Sequence, residues 1–420
     1  MQLSIVIPCY NEERTISTVL HRVATIGLPE GWTREIIVVD DCSTDGTWPL
    51  IQKLQSEIMS STPGLRIRAV RREKNGGKGA ALKTGMVLAQ GDFILIQDAD
   101  DEYEPGDYPL LLEPIIQGKA DVSFGSRILG KNSVPFNAVY FYGGLMVTKF
   151  FNLFFNTKLT DITTCYKVFP RSFVPFLSIL PSDDFSYDAV ELTHQLVVMG
   201  RVVEVPIRYN ARTRKAGKKL NWRHGVKCGV AILKEKLNLD GIIAHLRFRK
   251  ILKRVTTGHL VDLGCGSNPR LLFALRDRIS QGSGVDRKTN EFRSDKLRIY
   301  RSNFDEENPP PFPADLQGAD QAVMLAVLEH LHCPKQVLTN LHALLRQDGE
   351  ILLTTPSTFS KPILEFLAFG LGIIDKNEIS DHKHYFSRSE LKELLRSVGF
   401  KDIEHKYFEF GMNHFVTAKK

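Results

Sequence analysis

Five short apolar runs punctuate the first 130 residues: LSIVIPC, EIIVVDD, RIRAV, DFILIQD and ADVSFGS. Each is rich in β-branched residues, which predicts a strand. The first four are followed by stretches with apolar residues at helical spacing, such as ERTISTVLHRV and GAALKTGMVLA. Strands alternating with amphipathic helices predict a parallel α/β sheet. The pattern then changes. Residues 136–155 are aromatic and apolar, and a strongly basic stretch follows Glu204. Near residue 258 the α/β rhythm resumes, with strand ends in HLVDLGCGSNP, GSGVDR, DQAVMLAV and EILLTTP. The two halves share only this rhythm, and no internal repeat is present.

At 420 residues the chain is too long for one ordinary core. The expected organisation is a domain over 1–236, a basic linker or connecting helix over 237–257, and a second α/β domain over 258–420. A chain that is 43% hydrophobic and 25% charged has a soluble globular composition. Its net charge of +7 suits anionic ligands or a membrane surface and argues against a nucleic-acid partner. The longest apolar stretch, AVYFYGGLMVTKFFNLFF, is broken by Gly143, Gly144, Lys149 and Asn152, so no bilayer span is expected. The N-terminus lacks a basic n-region and reads as a strand, so no signal peptide is expected. The six cysteines are scattered without a CxxC pair and read as reduced thiols. A cytoplasmic protein, peripheral at the inner face of the membrane, fits these features.

The candidate chemistry lies at strand ends, where ligands bind in open parallel sheets. The segment IQDADDEYEP places Asp98, Asp100, Asp101, Glu102 and Glu104 in one turn. Like charges at this spacing repel unless a cation compensates them. A solvated acidic loop is the alternative, and Asp101 and Glu104 read as solvated residues. Other strand ends carry Pro8-Cys9-Tyr10-Asn11-Glu12-Glu13, Asp40-Asp41 and Asn75-Gly76-Gly77-Lys78-Gly79. An aromatic ring and a carboxylate can hold a base, and an Asp-x-Asp pair can hold a hard divalent cation on a diphosphate. Taken singly, Asp45 reads as a helix cap, Asn75-Gly76 as a turn and Tyr10 as core. Their joint order favours a ligand site.

These motifs, with GSR (125–127), LTDITTCYKVFPR (159–171), FSYDAVEL (185–192) and VEVPIRYNARTRKAGKKLNWRHG (203–225), resemble glycosyltransferase family 2. More narrowly, they resemble its dolichol- or polyprenyl-phosphate mannosyltransferase-like branch, over nearly all of residues 1–235. The resemblance implies a GT-A fold and a GDP- or UDP-sugar donor. It places Pro8, Tyr10, Glu12, Val39 and Asp41 around the nucleoside. It puts Asp98 and Asp100 on Mg²⁺ or Mn²⁺, with Ala99 and Glu102 completing that loop. Arg127 would face the phosphates or the acceptor, and Arg212, Arg214 and Lys218 would close over phosphates. The implied reaction is an inverting sugar transfer to a polyprenyl-phosphate lipid, or to a glycan. Asp188 or Glu191 is the candidate base for an acceptor that is not already an anion. Residues 136–155 would lie near the lipid, with Phe141, Phe150, Phe151, Phe154 and Phe155 supplying apolar contact. Many relatives continue into transmembrane helices; here a second domain follows.

In that domain VDLGCGSNP reads as strand, glycine turn and helix start, where the backbone can approach a ligand closely. The third glycine of a dinucleotide fingerprint is missing, and Asp286 ends the next strand. With SNFDEE, ADQAVMLAVLEHLHCP, LLRQDGEILLTTP and HKHYFSRSELKELLRSVGF, this resembles a Rossmann-like class I S-adenosylmethionine-dependent methyltransferase over 258–420. The resemblance assigns Asp262, Gly264, Gly266 and Asp286 to the cofactor and Asp305 to the neighbourhood of its adenine. Glu329, His330 and His332 look like metal ligands in EHLH, but neighbouring positions on a helix point apart, so no metal is expected there. His382 and His384 read as loop residues. The whole reads as a bifunctional transferase that methylates a linked or related substrate. The alternatives are a soluble glycan or glycolipid acceptor, or one domain that only binds.

Overall fold

A computed structural model describes residues 1–130, 138–212, 222–237, 251–252, 254–267, 269–306, 312–370, 376–409 and 411–420. The chain divides into two compact units, Met1–Lys236 and Leu237–Lys420. Most of segment 237–257 lies outside the described residues.

The first unit is built on seven strands: β1 (Gln2–Cys9), β2 (Thr33–Asp40), β3 (Arg66–Arg71), β4 (Phe93–Ile96), β5 (Val122–Ser126), β6 (Lys167–Pro170) and β7 (Val202–Pro206). Their order is β3-β2-β1-β4-β6-β5-β7. All neighbours are parallel except β6, which runs antiparallel to β4 and β5. The first five are the periodic runs seen in the sequence. Ile5, Val6 and Ile7 pair with Ile36, Ile37 and Val38, and all six are fully buried. Continuous apolar runs are what a sheet covered on both faces requires.

Helix α1 (Ile16–Thr25) buries Ile16, Val19, Leu20 and Val23, a single helical stripe. Helix α2 is Thr47–Ser61, and α3 is Lys78–Leu88. The small residues of α3 let it lie close on β1, since a Cβ on Gly85 would stand 2.4 Å from Val6 Cγ1. Two further helices are α4 (Tyr108–Ile116) and α5 (Ala138–Phe155). In α5, Phe151 is fully buried with Ile162, Val190 and Ile232, and Phe150, Phe154 and Phe155 pack on that cluster. These phenylalanines therefore face inward. The exposed face carries Tyr142, Met146 and Leu153 instead. Among the described residues no helix is long and apolar enough to cross a membrane.

The second unit has β8 (His259–Leu263), β9 (Gln281–Asp286), β10 (Phe292–Arg293), β11 (Leu297–Arg301), β12 (Ala319–Leu325), β13 (Leu345–Pro356), β14 (Lys401–Phe408) and β15 (Asn413–Lys419). Their order is β10-β11-β9-β8-β12-β13-β15-β14. The five strands from β11 to β13 are parallel, and β15 is antiparallel to both its neighbours. The connection direction reverses between β8 and β12, which opens a crevice at their carboxyl ends. Helix Arg388–Val398 starts in a capping box of Ser387 and Glu390 and stops at Gly399 (φ 112°).

Candidate active sites

The carboxyl ends of β1, β2 and β4 turn sharply. Asn11 (φ 50°), Cys42 (φ 61°) and Asp101 (φ 56°) adopt the left-handed conformation just past each strand. Asn and Asp tolerate it, whereas Cys42 holds it at a cost of about 1–2 kcal/mol. Beside these turns lies a cavity of about 480 Å³, lined by Pro8, Tyr10, Glu12, Asp41, Lys78, Asp98, Ala99, Asp100, Glu102, Phe185, Arg212 and His224, among others.

The carboxylates of this cavity face cations of the chain. Lys78 Nζ lies 2.7 Å from Asp98 and 2.8 Å from Asp188. Arg212 donates to both oxygens of Glu12, at 3.0 and 3.2 Å, and stands 3.4 Å from Asp100. Burial, then the charges of Asp98 and Glu102, still push the Asp100 carboxyl up to about 7 against the pull of Arg212. A divalent cation between Asp98 and Asp100 relieves this repulsion, so the pair fits Mg²⁺ or Mn²⁺ on a diphosphate.

The rest of the acidic turn is divided among other partners. Glu102 accepts the Arg212 N–H at 2.7 Å and the Tyr209 hydroxyl, which staples the β4 loop to residues 209–212. Asp101 and Glu104 are not merely solvated, because both pair with Arg22 of α1. Like charges are tolerated here because they are shared among three bases, Lys78, Arg212 and Arg22.

Asp41 organises the glycine loop. It accepts the N–H groups of Gly76 at 3.1 Å and Gly77 at 2.7 Å and pairs with Arg72. Gly77 has φ 93°, and a Cβ on it would stand 2.8 Å from the Asp183 carbonyl oxygen. The loop thereby brings Lys78 onto Asp98. Val39 is fully buried within β2 and does not line the cavity.

Arg127 is also outside the lining. It forms a fork on Asp161, with both contacts at 2.7 Å, donates to Thr163 Oγ1 at 2.6 Å, and stands 5.0 Å from the centre of the Tyr209 ring. It touches Tyr209, whose hydroxyl bonds the cavity residue Glu102. The two candidate bases fall on a π-helical turn, Tyr187–Leu192, and both are buried away from the lining. Asp188 sits between Lys78 and Lys167, at 2.8 and 2.9 Å. Burial alone raises its carboxyl, but the two ammonium groups hold it below the ordinary range. Such a carboxylate is a weak base, and it holds the Lys78 ammonium by an ion pair. Glu191 accepts the N–H of Ser182 at 3.1 Å and its hydroxyl. Arg214 and Lys218 lie outside the described residues. Sequence reasoning passed over Lys78, although its place in a glycine loop was a signal; nothing in the local sequence marked Lys167.

The second unit offers a different site. Gly264 (φ 83°) and Gly266 (φ 72°) form the turn after β8. A Cβ on Gly264 would stand 2.3 Å from Val327 Cγ2, whereas one on Gly266 would meet nothing within 4 Å, so the turn is open. Asp286 accepts the N–H groups of Gly266 at 2.9 Å and Lys288 at 2.7 Å. Burial, then Asp286, push the buried Asp262 carboxyl up to about 7. A cationic ligand relieves that strain, and S-adenosylmethionine carries both a sulfonium and an ammonium group, so it fits. Asp305 accepts the N–H of His332 at 2.8 Å and of Cys333 at 3.3 Å, and contacts the His332 ring at 2.8 Å. It ties the loop after β11 to the loop after β12.

Residues 4–175 match the family model for Glycosyl transferase family 2, and residues 238–405 match a Methyltransferase domain model. The chain thus carries a glycosyltransferase family 2 domain followed by a methyltransferase domain. Over 224 residues it is 28% identical to a Dolichol-phosphate mannosyltransferase of Pyrococcus furiosus, covering 52% of this chain and 59% of the relative. Over 129 residues it is 33% identical to a Dodecaprenyl-phosphate galacturonate synthase of Rhizobium johnstonii, covering 30% and 36%. The alignments thus span about one third to three fifths of these relatives. The crystal structure of S. aureus TarS 1–349 in complex with UDP aligns at a TM-score of 0.38 and 22% identity, over 57% of this chain and 71% of that one. An S-adenosylmethionine dependent methyltransferase from Mesorhizobium loti aligns at 0.33 and 18%, over 43% and 100%.

Proposed function

We propose that the glycosyltransferase domain moves a sugar from a GDP- or UDP-sugar to a polyprenyl-phosphate lipid, with inversion, at a Mg²⁺ or Mn²⁺ ion held by Asp98 and Asp100. The methyltransferase domain then uses S-adenosylmethionine on a linked or related substrate. The observation that carries the first half is the cavity in which Asp98 and Asp100 sit beside Lys78 and Arg212. The names of the two relatives support a prenyl-phosphate acceptor. When bound, the metal neutralises the departing diphosphate. Lys78 and Arg212 are the chain's own cations for the same charge. The acceptor oxygen bonds to the anomeric carbon from the face opposite the diphosphate, whose C–O bond breaks. A phosphate acceptor is already an anion, which agrees with the engagement of Asp188 and Glu191 elsewhere.

The acceptor is reached from the membrane surface. On α5, Tyr142, Met146, Lys149 and Leu153 recur at i, i+4, i+7 and i+11, which is one helical stripe. Its apolar members are 61%, 71% and 77% exposed. Apolar side chains around a lysine that reaches for headgroups suit an interfacial helix. Mass spectrometry of lipids and glycans from cells with and without the chain tests the reading. A prenyl-phosphate sugar that disappears with the chain supports it. Loss of a soluble glycan alone moves the acceptor to that class.

A further inference from the structure

The EHLH segment is not one helix face. Leu328–His330 is a short 3-10 turn after β12, and His382 reaches it from a segment some fifty residues later. Ligand atoms of Glu329, His330 and His382 lie within 4.8 Å of one another. The two segments are clipped together, because the Glu329 carbonyl accepts the N–H groups of Lys383 at 2.8 Å and His384 at 3.1 Å. The turn also adjoins the methyl-donor site, since Val327 packs directly on Gly264.

Two of the three residues, Glu329 and His382, have side-chain hydrogen-bond partners of the kind that orient a metal's ligands. Nδ1 of His330 lies 3.3 Å from Asp381 Oδ2, and Nδ1 of His382 lies 2.9 Å from the Tyr385 hydroxyl. The Tyr385 hydroxyl orients the His382 ring, and Asp381 faces His330 as a nearby charge. Glu329, which is buried, accepts the Thr355 hydroxyl at 3.0 Å through Oε2. Bonds of about 2.1 Å set donor atoms roughly 3–4 Å apart, so the cluster closes by about 1 Å onto a cation.

We propose that Glu329, His330 and His382 form a site for a divalent transition metal such as Mn²⁺, Co²⁺ or Zn²⁺, beside the methyl-donor turn. Two imidazoles and one carboxylate select this class over Mg²⁺ or Ca²⁺. Resting on the methyltransferase reading, the site would hold an acceptor with a chelating hydroxyl. A metal held there would lower that hydroxyl's pKa, so that its proton could pass to solvent. The oxygen lone pair then bonds to the methyl carbon, and the S–C electron pair stays on sulfur.

The test uses the full chain with Asp100→Asn, which silences the other metal site, and Co²⁺ as the probe. One Co²⁺ should bind with visible ligand-field absorption of nitrogen and oxygen ligands. His382→Ala and Glu329→Gln should each weaken binding on the order of tenfold or more, and S-adenosylmethionine titration reports whether the variants keep their fold. Equal Co²⁺ affinity in both variants, or no Co²⁺ bound by the parent, overturns the site. Co²⁺ binding by a parent that ignores S-adenosylmethionine sinks the methyltransferase reading and leaves the metal site standing.

Discussion

The two sites handle buried negative charge in opposite ways. In the glycosyltransferase unit every functional carboxylate faces a base of the chain: Asp98 meets Lys78, Asp100 and Glu12 meet Arg212, and Asp188 meets two lysines. In the methyltransferase unit, no described Lys or Arg pairs with Asp262 or Asp286. The difference follows from the ligands each unit is proposed to bind. A metal diphosphate would bring both signs of charge, and a site for it suits lysine and arginine, which would be free to turn to the phosphates if a metal took the carboxylates. A cationic cofactor brings the missing charge itself, and a resident base would repel it.

The comparison breaks most sharply at Asp188. Asp188→Ala leaves the fully buried Lys167 without its counter-ion and Lys78 with Asp98 alone, and should cost about 3–5 kcal/mol of stability. Chemical denaturation should show the earlier transition in the glycosyltransferase unit; an unchanged midpoint would mean that the network does not hold the site. Asp100→Asn should lower sugar transfer by roughly 10²–10³-fold, or about 3–4 kcal/mol, and leave S-adenosylmethionine binding intact. Full transfer in excess EDTA would contradict metal dependence.

On the outer surface, Met146→Glu with Leu153→Glu removes two apolar contacts, worth about 2 kcal/mol each when buried. Sedimentation with anionic vesicles should fall while the fold persists. Equal sedimentation would leave the α5 stripe without a role.

The smallest effect concerns pH. The folded Asp262 carboxyl titrates at about 7, above an unfolded value near 4, so the native unit binds this proton more tightly. The resulting stabilisation is present below about 4, declines between about 4 and 7, and is gone above. A cationic cofactor favours the ionised form. Its affinity should therefore rise by up to about tenfold per pH unit towards 7 and then level off. Titration calorimetry at several pH values checks this, and Asp262→Asn should flatten the slope. A flat profile in the parent would contradict the charge logic of the second site.

The strands β1 to β5 and the four central strands of the second sheet were legible because most are short apolar runs ended by polar residues, and β3, at the sheet edge, alternates. The strand-end motifs were legible because glycine turns and paired carboxylates are local. Other elements carried no such mark. Strand β6 opens on the fully buried Lys167, and the edge strand β14 alternates weakly with most side chains exposed. Their places depend on pairing with strands far away in sequence.

The same distinction divides the site residues. Local sequence alone determined that Asp98 and Asp100 end a strand together and that Gly264 and Gly266 make a turn. Only the tertiary structure decided what each carboxylate faces. Asp188 is held by two lysines, Glu191 by Ser182, and Asp41 by the glycine loop. It also decided that His382 joins Glu329 and His330. A side chain's charge state and partners are set by what folding brings within a few ångströms, and neither sequence spacing nor residue type contains that distance.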